Sequence, residues 1–315
     1  MPPRSAAVAV VERARADIRG LYELSDAELM SGLKFFSQDS VGAIGHRVRQ
    51  KMREGTHGRK SGYTIVFTGM SDVAGHGNLH SESYPAVVED CLRPVFAALE
   101  IPLTVRNMAL GGGSTSYPSS ICMGDVWGDD IDLLVWDFRM VGGKPEFDEL
   151  FVRQAMLLPS APAVLFRRQR TELRALKYAF GPPTALHVLE EVATYEALVK
   201  RNASAVVEDT FCHGNCTCPG KTRWHSRWKR HRFNGLLIAH HVLSEIWGAL
   251  QLNQTRLTGH AAAAAAMASS PARIRSRTCR GTCDTAETSV SSCVVAGPSQ
   301  GTRRGIPSGS RCPLR

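Results

Sequence analysis

Apolar positions along the chain follow two alternating periods. In residues 13–55, Leu21, Leu24, Leu29 and Leu33 recur at helical spacing between polar faces, which predicts a helical N-terminal arm over residues 1–58. Residues 63–68 (Tyr-Thr-Ile-Val-Phe-Thr) form a short β-branched and aromatic run closed by Gly69, the pattern of a buried strand. A helix is predicted over 84–99, with Ala86, Val87, Leu92, Val95 and Phe96 on one face. Residues 103–110 read as a second strand, stopped by Gly111, Gly112 and Gly113; 131–136 and 161–166 read as a third and a fourth. Helical spacing returns near 146–157 and 185–200, and 233–252 reads as a closing amphipathic helix.

Strands separated by helices predict an α/β fold with right-handed crossovers and a parallel sheet covered on both faces. Ligands in such sheets bind where the carboxyl ends of the strands meet the following loops. A chain of 315 residues can bury one sizeable core or two small ones. No apolar run approaches the ~20 residues that span a bilayer, so no membrane span is expected. Glu12, Arg13 and Arg15 end the apolar stretch of the N-terminus too soon for a secretory h-region.

Charge narrows the picture. Residues 259–315 hold eight Arg against two acidic residues, a surplus of six out of the nine net positive charges of the chain. That segment has no aromatic residue and opens near six consecutive Ala, a composition that predicts a disordered tail. The folded unit is therefore expected over 59–258, nearly neutral, and a nucleic-acid partner is not expected. The run 221–233 does interleave six basic residues with Trp224, Trp228 and Phe233, as a nucleic-acid or anionic-glycan surface would. A solvated loop with its Trp residues packed inward is the preferred reading.

The loop after the first strand is Gly69-Met-Ser71-Asp-Val-Ala-Gly75-His-Gly-Asn78. Ser71, two residues after the Gly that ends the strand, can present its hydroxyl at the top of the sheet; a turn-capping Ser is the alternative. A hydroxyl is a weak nucleophile until an imidazole takes its proton, and His225 and His231 lie just before the last helix, where a loop could fold back over the sheet.

These stretches carry a resemblance. Thr68-Gly-Met-Ser-Asp-Val-Ala-Gly-His-Gly-Asn78 with Ser83-Tyr-Pro85, Asn107-Met-Ala-Leu-Gly111, Val135-Trp-Asp-Phe-Arg-Met140 and Trp224-His-Ser226 resemble, in this order, the blocks of the SGNH (GDSL-type) hydrolase superfamily, most of all an algal subgroup. The resemblance covers roughly residues 60–250. It implies a three-layer α/β/α sandwich with a flavodoxin-like parallel sheet. It also implies Ser71 as nucleophile, His225 as base, and the backbone N–H groups of Ser71 and Gly111 at the oxyanion. The substrate would be an acylated small molecule or glycan, and the chemistry needs neither metal nor organic cofactor.

The chain departs from that pattern. Met70 stands where the family has Asp, and Asp72 where an apolar residue is usual. The third block has no Asn for the oxyanion; Asn78 or Arg139 are the substitute donors, and losing such a donor costs about 100- to 1000-fold in rate. The acid expected three residues before the His is Thr222, which leaves Asp209 or Glu208 to orient His225. A lapsed enzyme that binds a glycan or protein in the same cleft is the competing reading.

Cys212, Cys216 and Cys218 with His213 could form a metal knuckle, but no second ligand pair accompanies them. Disulfides of two of these three with Cys91 and Cys122 are preferred over free thiols, and free thiols over a metal. Three of the six Asn, at 202, 215 and 253, lie in N-x-S/T sequons, which leans toward a secretory compartment, while the N-terminal stretch without an h-region leans the other way, so the compartment stays open. His76, His80, His187, His240 and His241 read as ordinary turn or helix residues, His76 standing out by its place in the Ser71 loop. Asp129, Asp130 and Asp132 read as a solvated turn.

Overall fold

The computed structural model describes residues 4–35, 41–56, 61–111, 122–138, 145–167, 186–207 and 225–268. In chain order these give α1 (Arg4–Tyr22), α2 (Asp26–Met30), β1 (Leu33–Phe35), α3 (Ala43–Thr56), β2 (Tyr63–Gly69), α4 (Ser71–Ala74), α5 (Tyr84–Ala98) and β3 (Leu103–Asn107). There follow α6 (Met123–Trp127), β4 (Leu133–Asp137), α7 (Pro145–Leu157), β5 (Ala163–Arg167), β6 (Leu186–Leu189), α8 (Glu191–Asn202) and α9 (Trp228–Ala268).

The sheet order is β1-β6-β5-β4-β2-β3. Strands β2 to β6 are parallel to their neighbours, and β1 pairs antiparallel with β6. Taken alone, the five parallel strands follow the flavodoxin-like order 2-1-3-4-5. The chain leaves β2 for the edge strand β3 and returns on the other side of β2 as β4, so the topological switch point lies at the carboxyl end of β2.

Alternation along the strands divides the core in two. Tyr63, Ile65, Phe67, Leu133, Val135 and Leu165 face a layer that includes α1, α3, α5 and α9; Val66, Leu134, Trp136, Val164 and Phe166 face α6 and α7. Strands β2, β4, β5 and β6 are buried along their length, as expected of a sheet covered on both faces. The expected α/β/α sandwich is what the chain forms.

Several elements differ from the sequence reading. The helix expected at 185–200 begins with β6, because Leu186-His-Val-Leu189 is a four-residue run buried on both faces that periodicity alone cannot tell from a helix. Residues 33–35 form β1, too short to show a period, and Ala7, Val11, Ile18, Ile44 and Val48 of the N-terminal segment join the main core. Asp132 is not solvated. It is 2% exposed, accepts the Thr64 N–H at 2.9 Å and pairs with Lys51 at 3.2 Å, tying the starts of β2 and β4 to α3. Burial nevertheless raises its pKa above the ordinary carboxylate value.

The chain divides into two units, residues 1–258 and 259–315. Helix α9 extends to Ala268, since the Ala run after Gly259 has the highest helix propensity of any residue type. The rest of the predicted tail lies outside the described residues. Among the described residues, no helix is long and apolar enough to cross a membrane.

Candidate active site

Ser71 opens α4 immediately beyond β2. Gly69 is required there because a Cβ would collide with the Val73 side chain and the Asp137 carbonyl. The short helix is closed by Gly75, whose φ of 82° lies in the left-handed region that glycine enters without steric cost. The His76 N–H then donates to the Ser71 carbonyl at 2.9 Å, turning the loop back over its own start.

The exit of β3 is aimed at the same place. Asn107 donates through Nδ2 to the Val73 carbonyl at 3.1 Å and accepts the Ala109 N–H at 3.2 Å. The Leu110 N–H donates to the Gly69 carbonyl at 3.0 Å. Gly111 is thereby brought beside Ser71, close enough that a Cβ on it would stand 3.9 Å from the Ser71 Cβ.

His225 arrives from the segment that precedes α9. Its Nε2 lies 2.8 Å from Ser71 Oγ, and both side chains are buried, at 6% and 8% exposure. Ser226 is held from the Ser71 loop: its N–H and hydroxyl donate to the two carboxylate oxygens of Asp72 at 2.8 and 3.1 Å, and its carbonyl accepts from Asn78 Nδ2 at 3.0 Å. The His76 ring stands over His225 with centroids 4.4 Å apart. Burial lowers the pKa of His225, His76 lowers it further, and the Asp72 charge opposes both. A neutral imidazole facing a hydroxyl at hydrogen-bond distance can accept its proton.

Beside this pair lies a buried charge network at the carboxyl ends of the next strands. Asp137, ending β4, accepts from Tyr84 Oη at 2.8 Å and from Arg167 Nη1 at 2.8 Å. Arg167, ending β5, is fully buried and reaches Glu191 at 3.1 Å, while Arg230 stacks on the Tyr195 ring at 3.4 Å. The signal for Asp137 and Arg167 was a charged side chain at the end of an apolar strand, where α/β sheets place their chemistry.

Of the residues singled out in the sequence, the structure brings together Ser71, His225, Gly111 and Asn78. The Asn78 amide donates to the backbone carbonyls of His76 and Ser226 at 3.4 and 3.0 Å. His231 points elsewhere: its Nδ1 accepts the Tyr84 N–H at 3.3 Å at the start of α5. Arg139, Asp209, Glu208, Thr222 and the Cys212–Cys218 loop with His213 lie outside the described residues. Cys122 is disulfide-bonded, whereas Cys91 is free and burial raises its thiol pKa to about 11.

One described cluster has metal-like spacing: His187, His241 and Glu245, with donor atoms within 4.8 Å of one another. Its contacts have a structural account. His241 Nε2 and His187 Nδ1 share a hydrogen bond at 3.1 Å, and Glu245 accepts the Gly42 N–H at 3.1 Å just before α3.

No family model matches the chain, and no curated protein matches it. Solved structures do. A two-domain esterase (CEX) active on acetylated mannans is similar at 17% identity and TM-score 0.44, over 62% of this chain and 53% of that one. The same esterase co-crystallized with mannopentaose gives 15% identity and TM-score 0.45, over 62% and 54%. TesA gives 17% and 0.30, over 59% and 97%. The chain spans about half the length of the esterase it matches. These are likenesses of chain path at low identity.

Proposed function

We propose that the protein is a serine acyl hydrolase that cleaves an ester of a small molecule or glycan, such as an O-acetyl group, through an acyl-Ser71 intermediate. The observation that carries this reading is the buried 2.8 Å contact between Ser71 Oγ and His225 Nε2 at the switch point of the sheet. Ser71 Oγ attacks the ester carbonyl carbon as its proton passes to His225 Nε2. The oxyanion is met by the backbone N–H groups of Ser71 and Gly111, and His225 returns the proton to the departing alcohol. Water, deprotonated by His225, then attacks acyl-Ser71 and releases the acid. No step requires a cofactor. Asp209 as a further acid and Arg139 as an oxyanion donor belong to this proposal.

The disulfide at Cys122 and the three sequons favour an oxidising, secretory setting. A second reading, a lapsed member of the fold that binds its ligand without cleaving it, is favoured by one observation. The side-chain amides of Asn78 and Asn107, the two Asn nearest Ser71 in the chain, both donate to backbone carbonyls.

Fluorophosphonate labelling of the full-length protein separates the two. The expected result is labelling of wild type and none of Ser71→Ala. A folded wild type that never labels would favour the binding reading, and labelling that survives Ser71→Ala would place the nucleophile elsewhere.

A further inference from the structure

Asp72 follows the nucleophile on α4, a position where a charged residue has no place in a packed layer unless it is satisfied. It is 5% exposed, and both of its carboxylate oxygens are taken by Ser226, the neighbour of His225. Asn78, from the same loop, holds the Ser226 carbonyl. The peptide groups on both sides of Ser226 are thus fixed from the loop that carries Ser71. The sequence has Thr222 three residues before His225, so no carboxylate is available at that position.

A Ser–His pair needs two things beyond proximity. The imidazole must be held in one orientation, and the imidazolium formed when Ser71 loses its proton needs a negative charge nearby. Hydrogen bonds to a carboxylate are about twice as strong as neutral ones, so the Asp72 contacts are a firm anchor for the chain at His225. Among the described residues, His225 is faced by Ser71 and Asp72 from α4 and by His76 from the loop after it. Of these, Asp72 brings a negative charge.

We propose that Asp72 is a positioning residue of this site: it anchors His225 through Ser226 and brings a negative charge that stabilises the imidazolium. The inference rests on the reading of Ser71 and His225 as an acyl-transfer pair. In the chemical step the proton moves from Ser71 Oγ to His225 Nε2 and on to the leaving alcohol, and none passes to Asp72.

The test uses the full-length protein and the variants Asp72→Asn, Asp72→Ala and Ser226→Ala, each checked for folding by thermal midpoint. His225 is titrated by NMR, and the fluorophosphonate labelling rate is followed against pH. Asp72→Asn keeps an oxygen for the Ser226 N–H but removes the charge. It should shift the His225 titration and the labelling midpoint to lower pH and slow labelling at the plateau by about 10- to 100-fold. Asp72→Ala should slow it further, because the anchor is lost as well. Ser226→Ala keeps the N–H bond and should leave the His225 titration where it is. A His225 titration and labelling rate unchanged in both Asp72 variants would overturn the proposal. If wild type does not label at all, the acyl-transfer reading fails, while the NMR titration still decides whether Asp72 acts on His225.

Discussion

Ser71 Oγ and His225 Nε2 stand 2.8 Å apart although 154 residues separate them in the chain. The contact is made by two loops that hold each other: Asp72 and Asn78 from one side grip Ser226 on the other.

The two late histidines should separate cleanly. His225→Ala should lower fluorophosphonate labelling by two orders of magnitude or more, because nucleophile and base act as a unit. His231→Ala should label close to the wild-type rate but lose about 1–3 kcal/mol of stability in urea unfolding, since its Nδ1 accepts the buried Tyr84 N–H. Equal loss of labelling in the two variants would contradict this division.

His76 should act on the pH profile of labelling. His225 must be neutral to accept the proton, so labelling should rise with pH through its pKa, which burial and His76 hold below the ordinary histidine value. Removing His76 withdraws one of the two lowering influences. The labelling midpoint of His76→Ala should therefore move to higher pH, opposite in sign to the effect of Asp72→Asn. A shift to lower pH, or none, would show that the ring contact does not reach the base.

Acid should weaken the fold through the buried His187–His241 pair. Burial lowers the His187 pKa to about 4, and His241 is lowered as well. Between the unfolded value near 6.5 and the folded value, the unfolded chain binds the proton and the folded chain does not. Stability is then present in full above about pH 6.5 and is lost as pH falls toward about 4, by on the order of 3 kcal/mol from His187. Denaturant midpoints measured across this range should fall with pH in wild type and fall less in His187→Asn.

Arg167 should be costly to remove. It is fully buried between Asp137 and Glu191, so Arg167→Ala leaves Asp137 in the core without its cation and Glu191 with Arg230 at 3.6 Å. The expected loss is about 3–5 kcal/mol, measured by denaturant unfolding. Arg167→Ala combined with Asp137→Asn and Glu191→Gln should recover part of it, because the uncompensated charges are gone. A triple variant no more stable than the single one would locate the cost in packing instead.

Most of the parallel sheet was legible from local pattern. Strands β2, β4 and β5 are apolar runs bounded by turn signals, and burial on both faces leaves few other placements for Val66, Leu134 or Phe166. Ser71 and His225 stand out as candidates by residue type and position relative to those strands, and the 2.8 Å contact between them is a product of the fold. The edge strand β1 and the four-residue β6 were not legible, because runs that short carry no period and become strands only by pairing, β1 with β6 and β6 with β5. Asp72, Tyr84, Asp137 and Arg167 show the same limit at the site. As sequence they are single polar residues at the margins of apolar runs. Their partners come from strands and helices far apart in the chain, and a carboxylate or guanidinium is tolerated in the core only when such partners meet it. Sequence alone determined the alternation of strand and helix and the residue types available for chemistry; only the tertiary structure decided which charges meet and which histidine faces Ser71, because those pairings depend on distance in space.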